Sequence, residues 1–361
     1  MRVTILGAGA GGAAAVAELV KAGHDVALWS RSPGTLEPFQ RIRGVEYEGV
    51  LGQGTARPRL ITGDLAAAVK DREAVVCTLP TFTHAAVAKG LAQSGLRRGV
   101  PIILNPGHTG GALEFRRCLS GAGDDRIPIA EFSTLTYVAR KLEPQRVTVT
   151  GRAKQVRAAA LPGGEHALAA ARELFSCASP VRDVLAADLS NVNMVLHPPG
   201  AVLGAAWIEA RAGEFTFYVE GMTPGVARVM KTLDAERLAV GRAFGHELPN
   251  LIEEMKCIGT VEASVQDVDD FAAAIAGGEA NRRIKAPESL SHRYYLEDFG
   301  HGLLPFMVFA RIAGVAVPVA DALFALAEAL TGADFRKRGR TAEAMGIAGL
   351  DRDGLIAMVR S

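Results

Sequence analysis

Cysteine is scarce in this sequence. Only four of the 361 residues are cysteines, and they are far apart: Cys77, Cys118, Cys177 and Cys257. Because no CxxC pair occurs, we expect neither a disulfide framework nor a zinc site, and we predict no other metal site. Reduced thiols of this kind are typical of a cytoplasmic protein.

An excess of charge of either sign is also missing. Lys and Arg number 40, Asp and Glu number 39, and the net charge is +1. Without a basic excess, the chain lacks the usual electrostatic signature of nucleic-acid or acidic-membrane binding. Any charged substrate must therefore be held by a few local side chains.

Long apolar runs are absent as well. The longest stretch without a charged residue, Leu189–Ile208, contains two asparagines, a histidine and two adjacent prolines. It is too polar and too broken for an ordinary membrane-spanning helix. The N-terminal apolar stretch meets Glu18 without a cleavage pattern, so we predict no secretory signal and no membrane partner.

Short apolar runs alternate with helical patterns along the first half of the chain. The strands that this pattern predicts are Val3–Leu6, Val26–Trp29, Arg59–Thr62, Ala74–Leu79, Pro101–Leu104, Ile127–Phe132, Arg146–Thr150 and Gln155–Leu161. Beyond about residue 183 the pattern is helical, in Thr223–Phe244, Leu248–Met255, Val265–Ala276, Leu303–Gly314 and Ala320–Leu330. We therefore expect an α/β, Rossmann-like doubly wound domain over residues 1–185 and an all-α domain over residues 186–361.

A glycine-rich loop lies between the first predicted strand and the helix after it. Gly7, Gly9 and Gly12 fill the pattern G-x-G-x-x-G, with Ala10 and Gly11 between the last two. The first glycine permits a tight turn, the second lets a pyrophosphate approach the backbone, and the third lets helix and strand pack closely. Free N–H groups at the helix N-terminus attract phosphate. The loop predicts a dinucleotide site; the alternative is a turn that is merely rich in Gly and Ala.

The end of the second strand bears on the choice between NAD and NADP. NAD sites usually carry Asp or Glu about 20 residues beyond the glycine loop, to hold the ribose 2′-hydroxyl. Here the segment reads Ser30-Arg31-Ser32, without an acid. These side chains suit a 2′-phosphate, so NADP(H) is favoured and NAD(H) is the second choice. The alternative is an ordinary polar loop with Arg31 in solvent.

Two further strand ends carry candidate cofactor residues. Pro80 and His84 follow the fourth strand, and Asn105 ends the fifth. Ligands sit at the carboxyl ends of strands in open α/β sheets, so these residues are candidate walls of the nicotinamide pocket. Turn and helix-cap chemistry is an equal alternative.

A histidine followed by two prolines lies near the start of the helical domain. On its own, His197 in an uncharged segment is more often a satisfied core residue than a catalyst. Residues 291–305 then bring Arg, carboxylates and aromatics together before an apolar helix. Arg293 can bind a carboxylate through two parallel hydrogen bonds. Asp298 can orient a histidine and stabilise its charged form. The alternative is a surface loop with an ion pair.

Six segments together resemble the octopine/nopaline (opine) dehydrogenase family over nearly the whole chain. They are the GAGAGG loop, Glu131 with Tyr137–Arg140, and residues 193–200, 217–226, 233–245 and 292–305. The resemblance implies an NAD(P)H-dependent oxidoreductase that joins an α-keto acid to an amino acid or amine through an imine. The helical second domain of such enzymes often forms a dimer, so a homodimer is one possible state of this protein.

The resemblance also implies roles for individual residues. It makes His197 a proton relay and Asp298 its partner, and it assigns Arg293 to the substrate carboxylate. Asn193 and Tyr137 lie in the matching segments and are expected to bind substrate. The segment after Asp298, residues 299–301, departs from the family pattern, where a small apolar residue and a proline are common.

Two other functions compete with this one. A 2-keto-acid reductase of the ketopantoate or hydroxyacid type typically uses a lysine in the helical domain, and residues 187–210 contain none. A non-catalytic nucleotide-sensing module would bind the cofactor without turnover, and the His–Arg–Asp set argues against it. The basic cluster Arg336–Arg340 is short and predicts a solvated turn.

Overall fold

The chain folds into two compact units. The computed structural model describes residues 1–120 and 127–360. The first unit comprises Met1–Gly107 and Gly111–Val184, and the second comprises His108–Gly110 and Leu185–Ser361. No sequence pattern indicates that His108–Gly110 belongs with the second unit.

Two β-sheets form the first unit. Among the described residues the strands are β1 (Arg2–Leu6), β2 (Asp25–Trp29), β3 (Val45–Gly49), β4 (Gly54–Ala56), β5 (Leu60–Thr62), β6 (Ala74–Cys77), β7 (Ile102–Leu104), β8 (Ile129–Phe132), β9 (Tyr137–Glu143), β10 (Arg146–Arg152), β11 (Val156–Ala160) and β12 (Ala178–Pro180). The larger sheet has the order β12-β11-β8-β7-β6-β1-β2-β5, and its neighbours are parallel except β8 and β11. The order reverses beside β1, so the sheet is doubly wound.

Buried apolar residues form the centre of this sheet. Val3 and Ile5 of β1 are inaccessible to solvent, and the register places Ile5 beside both Leu28 and Val76. A strand that is buried on both faces is a continuous apolar run, which is why the sequence predicts it. The carboxyl ends of β1, β2 and β6 meet at one edge of the sheet, where Gly7 follows β1.

A second sheet, with the order β4-β3-β10-β9, is only partly predicted by the sequence. In β3 the buried residues Val45 and Tyr47 alternate with Glu46 and Glu48, which are half-buried. Because charged residues occupy every second position, β3 has a weak apolar signal, although Val45 and Tyr47 pack in the core. The expected strand at Arg146–Thr150 is part of β10.

The helices of the first unit connect its strands. They are α1 (Ala10–Lys21), α2 (Pro33–Ile42), α3 (Leu65–Val69), α4 (His84–Gln93), α5 (Gly111–Leu119) and α6 (Glu165–Leu174), with a 3₁₀ turn at Thr81–Thr83. α1 is rich in alanine and glycine, so its backbone lies close to the sheet, and it buries Ala13, Ala14 and Val16. The Rossmann-like α/β architecture is confirmed.

Helices dominate the second unit. They are α7 (Val184–Asp188), α8 (Val192–Leu203), α9 (Ala205–Arg211), α10 (Pro224–Ala243), α11 (Leu251–Ile258), α12 (Phe271–Gly277), a π-helix (Tyr294–Leu303), α13 (Leu304–Ala313), α14 (Pro318–Thr331), α15 (Phe335–Arg338), α16 (Ala342–Met345) and α17 (Arg352–Arg360). α8 contacts α10, α14 and the π-helix. This confirms the expected all-α domain. Among the described residues, no helix is long and apolar enough to cross a membrane.

Two local expectations for this unit are wrong, and one helix is not indicated by the sequence. The helix expected from Val265 begins at Phe271, because the carboxylate of Asp270 caps it there. The helix that the sequence pattern does not indicate is α8, because its two prolines lack the N–H that an interior helical position donates. The cluster Arg336–Arg340 is not wholly solvated, since Arg340 is fully buried and donates to a backbone carbonyl at 3.0 Å.

Candidate active site

The glycine loop leaves space beside its backbone. Gly7 has a φ of +120°, a conformation that L side chains rarely adopt. A Cβ on Gly12 would lie 1.8 Å from the carbonyl oxygen of Gly7, so only glycine lets α1 pass so close to this loop. A Cβ on Gly9 would meet no atom within 4 Å. The backbone at Gly9 is therefore open to a ligand, as the second glycine of a dinucleotide motif requires.

The N-terminus of α1 continues this loop. The helix begins at Ala10, no side chain caps it, and its first turn contains no acid. The N–H groups of Ala10, Gly11 and Gly12 precede the first intrahelical donor, so they are available to an anion. The loop and the helix end together fit the pyrophosphate of NAD(P).

The segment after β2 presents a cation and a hydroxyl. Ser30 is buried, and its Oγ accepts a hydrogen bond from the N–H of Ser32 at 3.3 Å. Arg31 and Ser32 are exposed, and Arg31 has no acidic partner in residues 1–120 and 127–360. Of the three predicted cofactor residues here, Arg31 and Ser32 have side chains that can receive a phosphate.

The strand-end residues His84 and Asn105 are held by the protein itself. His84 is buried, and its Nε2 lies 3.2 Å from the carbonyl oxygen of Leu79. The amide of Asn105 donates to Oγ1 of Thr136 at 2.9 Å and accepts from the Thr136 N–H at 3.2 Å. Pro80 is half-buried and immediately precedes the 3₁₀ turn. These contacts favour the turn and helix-cap alternative over a pocket wall.

Tyr137 lies in the interior of the first unit. Its hydroxyl donates to Glu18 at 2.6 Å, and Arg152 pairs with the same carboxylate at 2.5 Å. Burial and the neighbouring carboxylate raise the pKa of Tyr137 well above its usual value, so the hydroxyl stays protonated. These contacts do not support the substrate-binding prediction for Tyr137.

In the second unit, His197 lies on α8. The side chain of Asn191 caps this helix by accepting from the N–H of Asn193 at 3.1 Å. The two prolines directly follow His197 inside the helix, and nearly every residue of α8 is buried. Packing rather than helix propensity therefore stabilises the segment. Asn193 lies one turn before His197 and shares its face of the helix.

His197 has a hydrogen-bond partner at both ring nitrogens. Nδ1 lies 2.7 Å from Oδ2 of Asp298, and Nε2 lies 2.7 Å from the hydroxyl oxygen of Tyr218. Because a carboxylate only accepts, Nδ1 carries a proton and donates it to Asp298; in the neutral ring, Nε2 then accepts from Tyr218. The imidazole also stacks on Tyr294, with ring centroids 3.8 Å apart. Only 5% of His197 and 2% of Asp298 are exposed, so water competes little for these contacts.

The π-helix positions two of these partners. Tyr294 begins it and Asp298 lies near its middle, and both contact the imidazole of His197. π-Helical turns are rare and are frequent at functional sites. Oδ1 of Asp298 is buried and has no hydrogen-bond partner in the part of the chain that the structure describes. That oxygen is therefore an available acceptor.

Arg293 lies immediately before the π-helix. Its side chain is 57% exposed, and its Nη1 is 3.5 Å from Oε2 of Glu297. Its guanidinium carbon lies 5.8 Å from the ring centroid of Tyr294, and that ring stacks on His197. The guanidinium is therefore accessible to a carboxylate, and it lies near the same tyrosine ring that stacks on the imidazole.

The sequence assigns no role to the two tyrosines that contact His197, Tyr218 and Tyr294, or to the buried His108. Both tyrosines lie in segments that carry the family resemblance, which is the signal that could have found them. His108 is buried with a φ of +58°, and burial lowers its pKa although the charges of Glu297 and Asp298 oppose the shift. Burial also lowers the pKa of His301, in the segment that departs from the family pattern, to about 3. Both of these rings are therefore neutral near pH 7 and unsuited to donate a proton as imidazolium.

Comparison with known proteins identifies the family. The chain is 36% identical to an opine dehydrogenase from Arthrobacter sp. (strain 1C), over 98% of both chains. The chain belongs to the octopine/nopaline (opine) dehydrogenase family. Residues 180–331 match the family model described as NAD/NADP octopine/nopaline dehydrogenase, alpha-helical domain, and residues 2–103 match the model NADP oxidoreductase, coenzyme F420-dependent.

Solved structures of opine dehydrogenases share the fold. An octopine dehydrogenase in complex with NADH and agmatine is 21% identical, has a TM-score of 0.77, and the match covers 99% of this chain and 98% of that one. A yersinopine dehydrogenase with NADP+ bound is 17% identical, has a TM-score of 0.73, and the match covers 100% and 98%. As an opine dehydrogenase family member, the chain is an NAD(P)-dependent oxidoreductase acting on CH–NH bonds. Family membership favours this activity over the 2-keto-acid reductase and the nucleotide-sensing module.

Proposed function

We propose that this family member joins an α-keto acid to an amino acid or amine and reduces the imine that forms between them. The observation that carries the proposal is the buried His197–Asp298 pair, together with the accessible Arg293 near the tyrosine ring that stacks on the imidazole. An imidazole that is hydrogen-bonded to a carboxylate can donate or accept a proton, and the planar guanidinium of an arginine can hold a keto-acid carboxylate through two hydrogen bonds. In support, octopine dehydrogenase structures of the same fold hold NADH with L-arginine or with pyruvate.

Each side chain has its own task in this reaction. Arg293 holds the keto-acid carboxylate and so orients the ketone, and Asn193 contacts the amine substrate. After the amine has added to the ketone, the oxygen must be protonated to leave as water, and His197 is the source of that proton. Asp298 fixes the imidazole tautomer and stabilises the imidazolium form. The reduced nicotinamide, when bound, supplies the hydride that converts the imine to a secondary amine.

NADP(H) is the proposed preferred cofactor, and Arg31→Ala should weaken NADPH binding while sparing NADH. A hydrogen bond to a charged group contributes about 1.5–3 kcal/mol, so the Kd for NADPH should rise roughly 10-fold or more. Fluorescence titration of both cofactors measures the effect. A wild-type enzyme with the higher kcat/KM for NADH would contradict the preference.

Arg293→Lys should chiefly raise KM for the keto acid, because an ammonium cannot hold a carboxylate with a planar fork. Cofactor affinity should stay as in the wild type. Arg282, an exposed arginine that pairs with Glu279, is the matched control, and its change to lysine should leave KM unaltered. Equal losses of keto-acid and cofactor affinity in Arg293→Lys would indicate a folding defect instead.

The proposed reaction is tested by crossing keto acids with amino acids and amines while NADPH or NADH oxidation is followed. Oxidation should require both substrates, and the product mass should equal their sum, less water and plus two hydrogens. Equally fast oxidation with a keto acid alone would identify a 2-keto-acid reductase. Cofactor binding without oxidation, for every pair, would indicate a sensing module.

The proposal extends to a cytoplasmic homodimer. The four cysteines are few, far apart in the sequence and form no CxxC pair, which suits a reducing compartment. Leu326 and Leu330 lie one turn apart on α14 and are 49% and 39% exposed, which suits a subunit contact. Light scattering of the purified chain distinguishes a dimer from a monomer.

A further inference from the structure

Tyr218 is the hydrogen-bond partner of the second ring nitrogen of His197, Nε2. With Nδ1 on Asp298 and Nε2 on Tyr218, both at 2.7 Å, neither nitrogen is free in this structure. We propose that Tyr218 is a catalytic residue: its hydroxyl, rather than the ring of His197, exchanges the proton with the substrate. This rests on the proposed function of the same site.

The surroundings of Tyr218 suit a group that passes a proton on. It is 6% exposed, its ring packs edge-on against Phe217, and its hydroxyl also hydrogen-bonds with Tyr294. Burial, followed by the nearby Tyr294, raises the pKa of Tyr218 well above its usual value. The hydroxyl is therefore protonated before and after each proton transfer, and Tyr218 does not rest as a charged phenolate.

The Tyr218 hydroxyl can both donate a hydrogen bond through its O–H and accept one through an oxygen lone pair, so a proton can move in either direction between Tyr218 and His197. With a neutral imidazole, Tyr218 donates to Nε2. With an imidazolium, Nε2 donates to the Tyr218 oxygen, and the O–H of Tyr218 is released to point at another acceptor. The protonation state of His197 thus decides whether Tyr218 offers its proton to the ring or to the substrate.

The proton balance of water loss follows from this geometry. In the adduct of amine and ketone, the C–O bond breaks while the nitrogen lone pair forms the C=N bond, which gives an iminium. The departing oxygen takes the Tyr218 proton and leaves as water, and Tyr218 regains a proton from Nε2. His197 becomes neutral, and its remaining proton stays on Nδ1, hydrogen-bonded to Asp298. One proton is consumed, and hydride addition to the iminium then gives the neutral secondary amine.

The test is Tyr218→Phe, which removes one oxygen and keeps the ring. Using the keto acid and amine that the wild-type enzyme joins, we expect kcat to fall at least about 10-fold, with cofactor Kd unchanged. Proton delivery should become rate-limiting, so the ratio of kcat in H2O to kcat in D2O should rise above the wild-type ratio. A merely structural role would not raise that ratio.

Tyr295→Phe is the matched control. It removes a buried hydroxyl from the π-helix that carries Asp298, one that donates to the carbonyl of Ala201 at 2.8 Å, and should change kcat less than about two-fold. If Tyr218→Phe keeps kcat within two-fold, or loses kcat with an unchanged solvent isotope ratio, the relay through Tyr218 is wrong. If the wild-type enzyme forms no secondary amine at all, the proposed function fails instead.

A separate observation in the first unit concerns Lys141. This lysine is on β9, half-buried, with its Nζ 3.4 Å from the carbonyl oxygen of Ala8 in the glycine loop and 4.3 Å from the ring centroid of Phe39 on α2. No acid pairs with it in residues 1–120 and 127–360. We infer that Lys141 binds a phosphate group of the dinucleotide.

The charge of Lys141 is the basis of this inference. Burial lowers its pKa, which means that the protein around it does not compensate the cost of desolvating the ammonium. A phosphate at the adjoining glycine loop would neutralise it. The neighbours of the ammonium are the loop and α2, the helix that follows Arg31.

The test is the affinity of Lys141→Met for NADPH and NADH, measured by fluorescence titration without substrates. An equal loss for both, of about 10-fold, would assign Lys141 to the pyrophosphate; a loss for NADPH alone would assign it to the 2′-phosphate. Unchanged affinity for both cofactors would overturn the inference. Lys154→Met, at an exposed lysine of the same unit, is the control and should change neither affinity.

Discussion

Replacing His197 with alanine should lower kcat at least about 100-fold while NADPH affinity stays close to wild type. The physical reason is the buried pair that the imidazole forms with Asp298 at 2.7 Å, which supplies the proton required for loss of water. Steady-state kinetics with saturating substrates measure kcat, and fluorescence titration measures cofactor affinity. His246→Ala is the control, because His246 is a buried histidine of the same unit whose Nε2 contacts Arg360 instead.

The partner mutation shows whether the two residues act as one unit. Asp298→Asn keeps the shape of the side chain but removes the charge that stabilises the imidazolium, so it should also lose kcat. The double variant should be little slower than the slower single variant, because either change alone breaks the relay. Losses that simply multiply would contradict the pairing. Thermal melting of all three variants checks that the second unit remains folded.

Gly12→Ala should weaken binding of both NADPH and NADH at least about 10-fold and lower the melting temperature. The added Cβ would lie 1.8 Å from the carbonyl oxygen of Gly7 and 2.7 Å from Oγ1 of Thr78, so the loop or α1 must move. Overpacking of this kind typically costs about 1–3 kcal/mol or more. Calorimetry gives the melting temperature, and titration gives the two affinities.

Gly9→Ala separates the effect on folding from the effect on the cofactor. A Cβ at Gly9 meets no protein atom within 4 Å, and the residue has a φ of −73°, which alanine adopts readily. The melting temperature should therefore stay at the wild-type value, whereas cofactor affinity should fall because the methyl group occupies the pyrophosphate position. If Gly12→Ala bound cofactor and melted like the wild type, the close packing assigned to this glycine would be wrong.

The parts of the fold that the sequence predicts are those with a periodic apolar signal. β1, β2 and β6 are buried on both faces, and the glycine loop follows β1 directly, so local sequence is sufficient for them. β3 alternates charged and buried residues and has no such signal. α8 contains two prolines, and the helix forms because its residues are buried by neighbouring helices, which local sequence does not reveal.

In the candidate site, too, some features are predicted by local sequence and others depend on how distant segments pack. His197, Asp298 and Arg293 are suggested by residue type and by resemblance, and the structure places the first two in hydrogen-bond contact. Which tyrosines meet the imidazole depends on the π-helix and on the loop before α10, whose geometry no residue pattern encodes. His84 and Asn105 are polar residues at strand ends, but their hydrogen bonds are satisfied by the backbone and by Thr136. Whether a polar side chain binds a ligand or only the protein depends on its burial and its partners, and both are set by the tertiary structure.

The reductive joining of a keto acid to an amino acid is tested most directly by following two labelled atoms into one product. The enzyme is supplied with a keto acid, a ¹⁵N-labelled amino acid, and reduced cofactor carrying deuterium at the transferable position of the nicotinamide. Our account predicts a secondary amine in which the former ketone carbon bears both deuterium and ¹⁵N, detected by NMR and mass. Deuterium in a 2-hydroxy acid, with ¹⁵N left in the free amino acid, would contradict it.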